Sequence, residues 1–224
     1  MKNILVLATR NRGKTREISE MLKGFPVEIR NLDDFGPIPE VEEDGDTFEE
    51  NAYKKAAFAA RVLGYPAMAD DSGLVVESMN GRPGVRSARY AGENATDEMN
   101  VNKLMQELQD IEQANGARLN IEQAKGMEWN TNKHYEYSGK NQKVRETRNR
   151  NAAFECVISI AVPTGAALTY QGRCDGVIAD QPRGEDGFGY DPIFFYPDSG
   201  KTFAEMSIQE KSMVSHRGKA IQEV

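Results

Sequence analysis

The segment 3–8 is a short aliphatic run, with Ile4-Leu5-Val6-Leu7 at its centre, of the kind found in strands covered on both faces. It passes directly into Thr9-Arg10-Asn11-Arg12-Gly13-Lys14-Thr15 and then into a helical pattern carrying Ile18, Met21 and Leu22. Strand, glycine-containing loop and helix N-terminus make a phosphate-binding geometry, because free backbone N–H groups and the helix dipole both favour an anion there. Lys14, Arg10 and Arg12 add positive charge, which favours that function over a plain strand-to-helix turn. Gly13-Lys14-Thr15 also matches the tail of a P-loop. Ala8, however, stands where the first glycine belongs, and two arginines crowd the loop, so the P-loop ranks second.

A second stretch carries candidate chemistry. In Pro66-Ala67-Met68-Ala69-Asp70-Asp71-Ser72-Gly73, two adjacent carboxylates follow a short apolar run and precede Ser-Gly, a turn signal. A strand would point Asp70 and Asp71 to opposite faces, whereas a strand that ends in a turn can bring both to its rim. Carboxylates at such a rim suit a hard divalent cation, and Mg²⁺ is commonly held by one or two of them. The bland alternative is a loop of solvated acids.

Composition excludes several classes. A net charge of −7 argues against broad nucleic-acid binding, which selects basic faces, but allows one phosphorylated ligand in a locally basic pocket. Cys156 and Cys174 lack metal-ligand spacing and sit in apolar or strand-like surroundings, so both are expected as buried thiols. The first apolar run is too short for a signal peptide or a membrane span, which points to the cytoplasm. With 224 residues, the chain makes one large domain or two closely packed lobes.

The remaining elements read in order. Val27-Glu28-Ile29 is a second strand, followed by the acidic loop Pro37–Asp46. Thr47-Phe48-Glu49-Glu50 is a capping box that opens a helix with Phe48, Ala52, Ala56, Ala59 and Leu63 as its core stripe. Asn51, Lys55 and Phe58 lie on another face, where Lys55 could form an exposed ion pair or contact phosphate as a point charge. Leu74–Glu77 resumes a strand, and Gly81–Gly92 is a long arginine-rich loop. Thr96 caps a helix with Val101, Leu104, Met105, Leu108 and Ile111 on its core face. From about 112 to 150 the pattern dissolves into a polar insertion holding Trp129, His134, Tyr135 and Tyr137, with a basic end. Phe154–Val162 is the strongest strand, forming a hairpin with Ala167–Tyr170 through Pro163-Thr164-Gly165, and Cys174–Ile178 is a third strand. Gly184–Pro192 lets backbone approach a ligand and presents Phe188 and Tyr190, either as a stacking face or as core. His216-Arg217, near a helix end, serves either the helix dipole or hydrogen bonds to a planar base.

Taken together, Thr9–Lys14, Thr47–Ala52 with Lys55, Ala69–Gly73, Ser87-Ala88-Arg89-Tyr90, Phe188–Pro192, and Lys211-Ser212 with Ser215-His216-Arg217 resemble, in this order, the inosine triphosphate pyrophosphatase family. Its bacterial members are the dITP/XTP pyrophosphatases. The resemblance implies an elongated two-lobed α/β fold around a mixed twisted sheet with a central cleft, formed by residues 1–224 with the insertion on its surface. It implies a homodimer and hydrolysis of ITP, dITP or XTP to monophosphate and pyrophosphate with Mg²⁺, or Mn²⁺ in its place. Carried over by position, Thr9, Arg10, Asn11, Arg12, Gly13 and Lys14 would cradle phosphates. Glu42 or Glu43 with Asp70 and Asp71 would hold the metal, Asp71 would accept the proton of the attacking water, and Lys55 would bind phosphate. Ser72 would contact the nucleotide and Phe188 would stack on the base, with Gly189, Tyr190 and Asp191 in the same pocket. Lys211, His216 and Arg217 would read the 6-oxo edge. Arg10 departs from the family's usual glycine, the 112–150 connection is longer than usual, and the last helix is shortened.

Three rivals make different predictions. A P-loop NTPase would release orthophosphate and needs a second acidic strand end. A non-catalytic purine nucleotide sensor would lack part of the Glu43, Lys55, Asp70 and Asp71 set, all of which is present. Nucleic-acid binding through the insertion would show as a salt-dependent shift of single strands; a stable nucleic-acid partner is not expected, nor is a membrane.

Overall fold

Seven strands in the described residues form one open mixed sheet in the order β2-β1-β3-β4-β5-β6-β7. The computed structural model describes residues 3–124, 149–164 and 167–224. In chain order the elements are β1 (Asn3–Leu7), α1 (Arg12–Met21), β2 (Val27–Asn31), α2 (Phe48–Leu63), β3 (Ala67–Val76) and α3 (Asp97–Ala124). They are followed by β4 (Asn151–Ala161), β5 (Leu168–Ile178), β6 (Phe194–Tyr196), β7 (Lys201–Thr202), α4 (Ile208–Val214) and α5 (His216–Gln222). β1 pairs in parallel with β2 and β3, and every later pairing is antiparallel.

The aliphatic opening does what its composition demands. Val6 and Leu7 are fully buried, one on each side of the sheet. Val6 joins Ala56, Ala59 and Ala60 of α2 with Ala67 and Ala69 of β3. Leu7 joins Ile18 and Leu22, Met68, Cys156, Ile158, and Ala220 and Ile221 of α5. The alanine-rich stripe of α2 lets that helix lie close to the sheet. Thr47 caps it by accepting from Glu50 N at 3.2 Å, while the Glu50 carboxylate takes the N–H of Asp46 at 2.8 Å, one residue before the cap. Gly64, with φ 73°, closes it in the left-handed conformation that glycine adopts without strain.

A third cluster lies over the other end of the sheet. Leu104 and Leu108 of α3 pack with Leu74, Phe154, Phe194 and Phe203. Helix α3 runs on to Ala124, so the start of the segment read as an insertion continues the helix. Arg150 is buried against Glu112, 2.6 Å away. Residues 125–148, with Trp129, His134, Tyr135 and Tyr137, lie outside the described residues, as do 165–166 of the hairpin turn. Cys156 and Cys174 are free and buried.

The largest difference from expectation is at Ser72-Gly73. These residues do not end the strand: β3 continues to Val76, paired with β4 throughout (Asp70 opposite Ile158, Asp71 opposite Val157, Ser72 opposite Cys156). Gly73 is required for packing, because a Cβ there would meet the backbone of Gly84 and the hydroxyl of Ser87. An uninterrupted strand alternates its side chains, so Asp70 and Asp71 project to opposite faces.

Candidate active site

Asp71 faces α2. Lys55, one turn after the cap-proximal Asn51, places its ammonium 2.8 Å from Asp71 and 3.0 Å from Glu43. Asn51 reaches Asp71 Oδ2 at 3.5 Å and brackets Gly45, accepting from its N–H and donating to its carbonyl. Arg89 Nη2 donates to the Glu43 carbonyl at 3.1 Å, so Asn51 and Arg89 both help fix the acidic loop where it presents Glu43. One lysine between two carboxylates leaves excess negative charge. Burial, only partly offset by Lys55 and Lys14 and reinforced by Glu43, raises the Asp71 carboxyl to about 6. Burial would also raise Glu43, but Lys55 outweighs it and holds Glu43 below its ordinary value. Burial alone would lower Lys55, and the two carboxylates instead raise it. Glu42, the next residue along the loop, is exposed and does not join this group.

Asp70 faces α1 and α5, and its surroundings are of the opposite kind. It is fully buried, yet Lys14 Nζ lies 2.5 Å from Oδ1 and Arg217 Nε lies 3.2 Å from Oδ2. Ser72 Oγ and Cys156 Sγ donate to the same carboxylate at 3.1 and 2.8 Å. Burial raises its pKa, but the Arg217 and Lys14 charges prevail and hold it well below the usual carboxylate range. The structure therefore brings Glu43 and Asp71 together and sets Asp70 apart from them, across the sheet.

From Asp70 a line of alternating charges crosses the interior. Arg217 binds Asp70 and Glu17, Glu17 binds Lys211 at 2.7 Å, and Lys211 binds Asp191. All five side chains are at least nine-tenths buried. Such a chain is tolerable in a low-dielectric interior because every charge has an opposite neighbour. The Arg217 and His216 backbone opens α5, capped by Ser215, whose hydroxyl accepts from Gly218 N at 3.1 Å. A cation at a helix N-terminus gains nothing from the dipole, so the dipole explanation fails and the carboxylates carry Arg217.

The β1–α1 loop closes one side. Asn11 caps α1, accepting from Lys14 N at 3.1 Å, and Asn11 N donates to Thr9 Oγ1 at 3.1 Å. Arg12 is exposed and does not line the cavity, whereas Arg10 turns to the acidic loop: Nη2 donates to Ile38 O at 2.9 Å, with Glu40 at 3.5 Å and Asp33 at 3.8 Å. Gly13 is small because Phe188 lies against it; a Cβ there would strike the ring.

Phe188 and Tyr190 divide the two functions proposed for them. Tyr190 is core, its hydroxyl donating to Ser87 O at 2.9 Å. Phe188 is half-buried at the cavity, with Lys211 Nζ 5.1 Å and the Arg217 guanidinium 5.7 Å from its ring centre. Asp191 accepts from Phe188 N at 3.0 Å and holds Lys211, and its burial keeps its pKa raised despite that lysine. Gly189 N donates to Asp97 at 2.7 Å. His216 stacks on Phe154 with centroids 4.7 Å apart and planes 13° from parallel. Burial, then the charges of Arg217 and Lys211, hold its imidazole well below the usual histidine range, so it is neutral. Among the described residues its buried Nδ1 has no hydrogen-bond partner.

These groups line one cavity of about 380 Å³. Of the residues singled out from the sequence, Thr9, Arg10, Asn11, Lys14, Glu43, Lys55, Asp71, Ser72, Phe188, Gly189, Tyr190, Asp191, Lys211, His216 and Arg217 line it. Arg12, Gly13, Glu42 and Asp70 do not. Sequence reasoning missed Glu17, Cys156 and Phe154 as parts of the site. Glu17 was accessible in part: three residues after Lys14, it shares that lysine's helix face. Cys156 and Phe154 reach the site only through the β3–β4 register, which nothing local in the sequence fixes.

An open mixed sheet with a cleft that joins a cationic loop, a lysine-bridged pair of carboxylates and an aromatic pocket lined by buried cations defines an α/β protein built for a charged, planar ligand. The chain belongs to the Ham1 family, whose model matches residues 5–140 and 121–224. It is 52% identical over 221 residues to the dITP/XTP pyrophosphatase of Syntrophobacter fumaroxidans, covering 99% of this chain and 80% of that protein. The dITP/XTP pyrophosphatase of Geobacter sulfurreducens is 48% identical, over 97% of this chain and 92% of its own length. Among solved structures, the Staphylococcus aureus Ham1 protein superposes with a TM-score of 0.72 at 37% identity, covering 99% of this chain and 95% of that one. A HAM1 protein from Coxiella burnetii gives 0.73 at 36% identity, with the same shares.

Proposed function

We propose that this protein hydrolyses non-standard purine nucleoside triphosphates, dITP, ITP and XTP, to the monophosphate and pyrophosphate, removing them from the nucleotide pool. The observation that carries this is the single cavity in which Lys55 bridges Glu43 and Asp71 at one end while Phe188, Lys211, His216 and Arg217 gather at the other. The names of the relatives supply the reaction class.

The residues divide the work. Lys14 and the Thr9–Asn11 backbone receive the triphosphate tail. Glu43 and Asp71 are the carboxylates suited to Mg²⁺: they already share excess negative charge, and Mg²⁺ binds through one or two carboxylates rather than a full protein cage. When bound, the metal would neutralise charge on the phosphates and the attacking water. Asp71, with a pKa near 6, is ionised at neutral pH and basic enough to take a proton from water. Lys55 keeps it oriented and offers charge to the phosphates. The bond broken joins the α- and β-phosphoryl groups, so pyrophosphate leaves as one unit.

At the other end, Phe188 offers a stacking face. Lys211 and Arg217 are donors only, which suits a 6-oxo acceptor and leaves a 6-amino group facing like partners. The proposal includes a homodimer and a cytoplasmic setting, and sedimentation checks the first. No helix among the described residues is long and apolar enough to cross a membrane.

The test incubates the protein with Mg²⁺ and dITP, XTP, dGTP or ATP and measures pyrophosphate and orthophosphate. Pyrophosphate from dITP and XTP with little from dGTP or ATP is expected. Equal turnover of all four ends the specificity claim, orthophosphate supports a P-loop-type enzyme, and binding without release supports a sensor.

A further inference from the structure

We propose that Asp70 is a positioning residue that couples purine recognition to phosphate binding, rather than a ligand of the metal. The inference rests on the cleft assignment above and adds a link between its two ends. Among the described residues, Asp70 contacts both a cation of the phosphate loop, Lys14 at 2.5 Å, and a cation of the base pocket, Arg217 at 3.2 Å. The face of the sheet on which it sits separates it from Glu43 and Asp71. Its oxygens are also occupied, with Ser72 and Cys156 donating at 3.1 and 2.8 Å and Arg217 Nη2 at 3.5 Å. A carboxylate buried completely and bound by two cations and two neutral donors has no free lone pair directed at a metal.

The two cations differ in freedom. Arg217 is 1% exposed and held by Glu17, Asp70 and Ser72 Oγ, the last at 2.9 Å. Lys14 retains 14% exposure at the cavity edge and has Asp70 as its ion-pair partner. A polyphosphate entering the loop competes for Lys14. As Lys14 turns to it, the Asp70 charge is shared with fewer cations and holds Arg217 more firmly in the fork it makes beside Phe188. The order of contacts is Lys14, Asp70, Arg217, then Glu17, Lys211 and Asp191, so the strengthening reaches both donors of the base pocket. By linkage the effect is reciprocal: a purine that fixes Arg217 favours the state that binds polyphosphate.

Calorimetry in the absence of divalent metal, at fixed ionic strength, tests this with two fragments of a substrate, inosine and inorganic tripolyphosphate. Saturating tripolyphosphate is expected to tighten inosine binding by about fivefold or more in the wild-type protein. The two should bind independently in Asp70→Asn. Should Asp70→Asn fail to fold, Lys14→Met cuts the same path from the cavity edge and should likewise abolish the coupling at saturating tripolyphosphate. Equal inosine affinities with and without tripolyphosphate in the wild type would overturn the proposal, as would coupling that survives in either folded variant. No turnover is needed, so failure of the pyrophosphate assay would not be confused with failure of the coupling.

Discussion

Asp70 and Asp71 are neighbours on one strand with opposite fates. Asp70, with two cations and two neutral donors around it, is held well below the usual carboxylate range; Asp71, sharing one lysine with Glu43, rises to about 6. Both are buried, so burial does not separate them. The cations in direct contact do: Asp70 touches both Lys14 and Arg217, whereas Asp71 shares Lys55 with Glu43. On the α1–α5 face three carboxylates, Asp70, Glu17 and Asp191, meet three cations, Lys14, Arg217 and Lys211. On the α2 face two carboxylates meet one lysine. A balanced set is architecture, fixing where the donors of the pocket stand. On the function proposed above, the unbalanced set is the one suited to take a proton or a divalent cation.

The most severe break in that contrast is expected from Asp71→Asn, which should lower kcat for dITP by about 10²–10⁴-fold, the range for loss of a proton acceptor. Stopped assays of pyrophosphate release check it. The balanced face should respond in stability instead. Removing one partner of a buried ion pair costs about 3–5 kcal/mol, so Asp70→Asn should lower the denaturation midpoint sharply in urea.

The pH dependence sharpens the comparison further. A carboxyl raised in the folded state contributes stability below its unfolded pKa, and that contribution is lost as pH rises through about 6. In metal-free protein, Asp71→Asn should therefore melt above the wild type at pH 8, with the gap closing as pH falls through 6; scanning calorimetry follows it. Glu17 and Asp70, lowered in the folded state, act with the other sign and lose their contribution as acid protonates them. The smallest effect is expected at Arg10, whose contacts to Ile38, Glu40 and Asp33 are largely exposed. Arg10→Gly should change unfolding free energy by no more than about 1 kcal/mol, measured by urea titration.

Much of this was legible along the chain because it is local. The aliphatic run of β1, the Asn11 loop, the Thr47 cap and the stripe of α3 each declare themselves within a few residues. So did the α2 face: Asn51 and Lys55 lie four residues apart on one side of a helix, and the acidic loop precedes it. What misled was also local. Ser72-Gly73 has the composition of a turn, yet Gly73 is needed for the close approach of Gly84 and Ser87, and β4 holds the strand straight. Once β3 continues, alternation separates Asp70 from Asp71. The charge line from Asp191 to Lys14 was not readable, since Glu17 and Arg217 stand 200 residues apart in sequence. Only the packing of α1 and α5 on the same sheet face brings them together.

The contrast between the two faces can be measured without any substitution, by following carboxyl ¹³C resonances of aspartate-labelled, metal-free protein from pH 3 to 8 and then adding Mg²⁺. One buried aspartate, assigned to Asp71, should titrate near pH 6 and move to lower pH with Mg²⁺, while Asp70 titrates below the usual carboxylate range and does not respond to Mg²⁺. An Asp71 that titrates near 4, or an Asp70 resonance that shifts with Mg²⁺, would contradict the division of labour between the two faces.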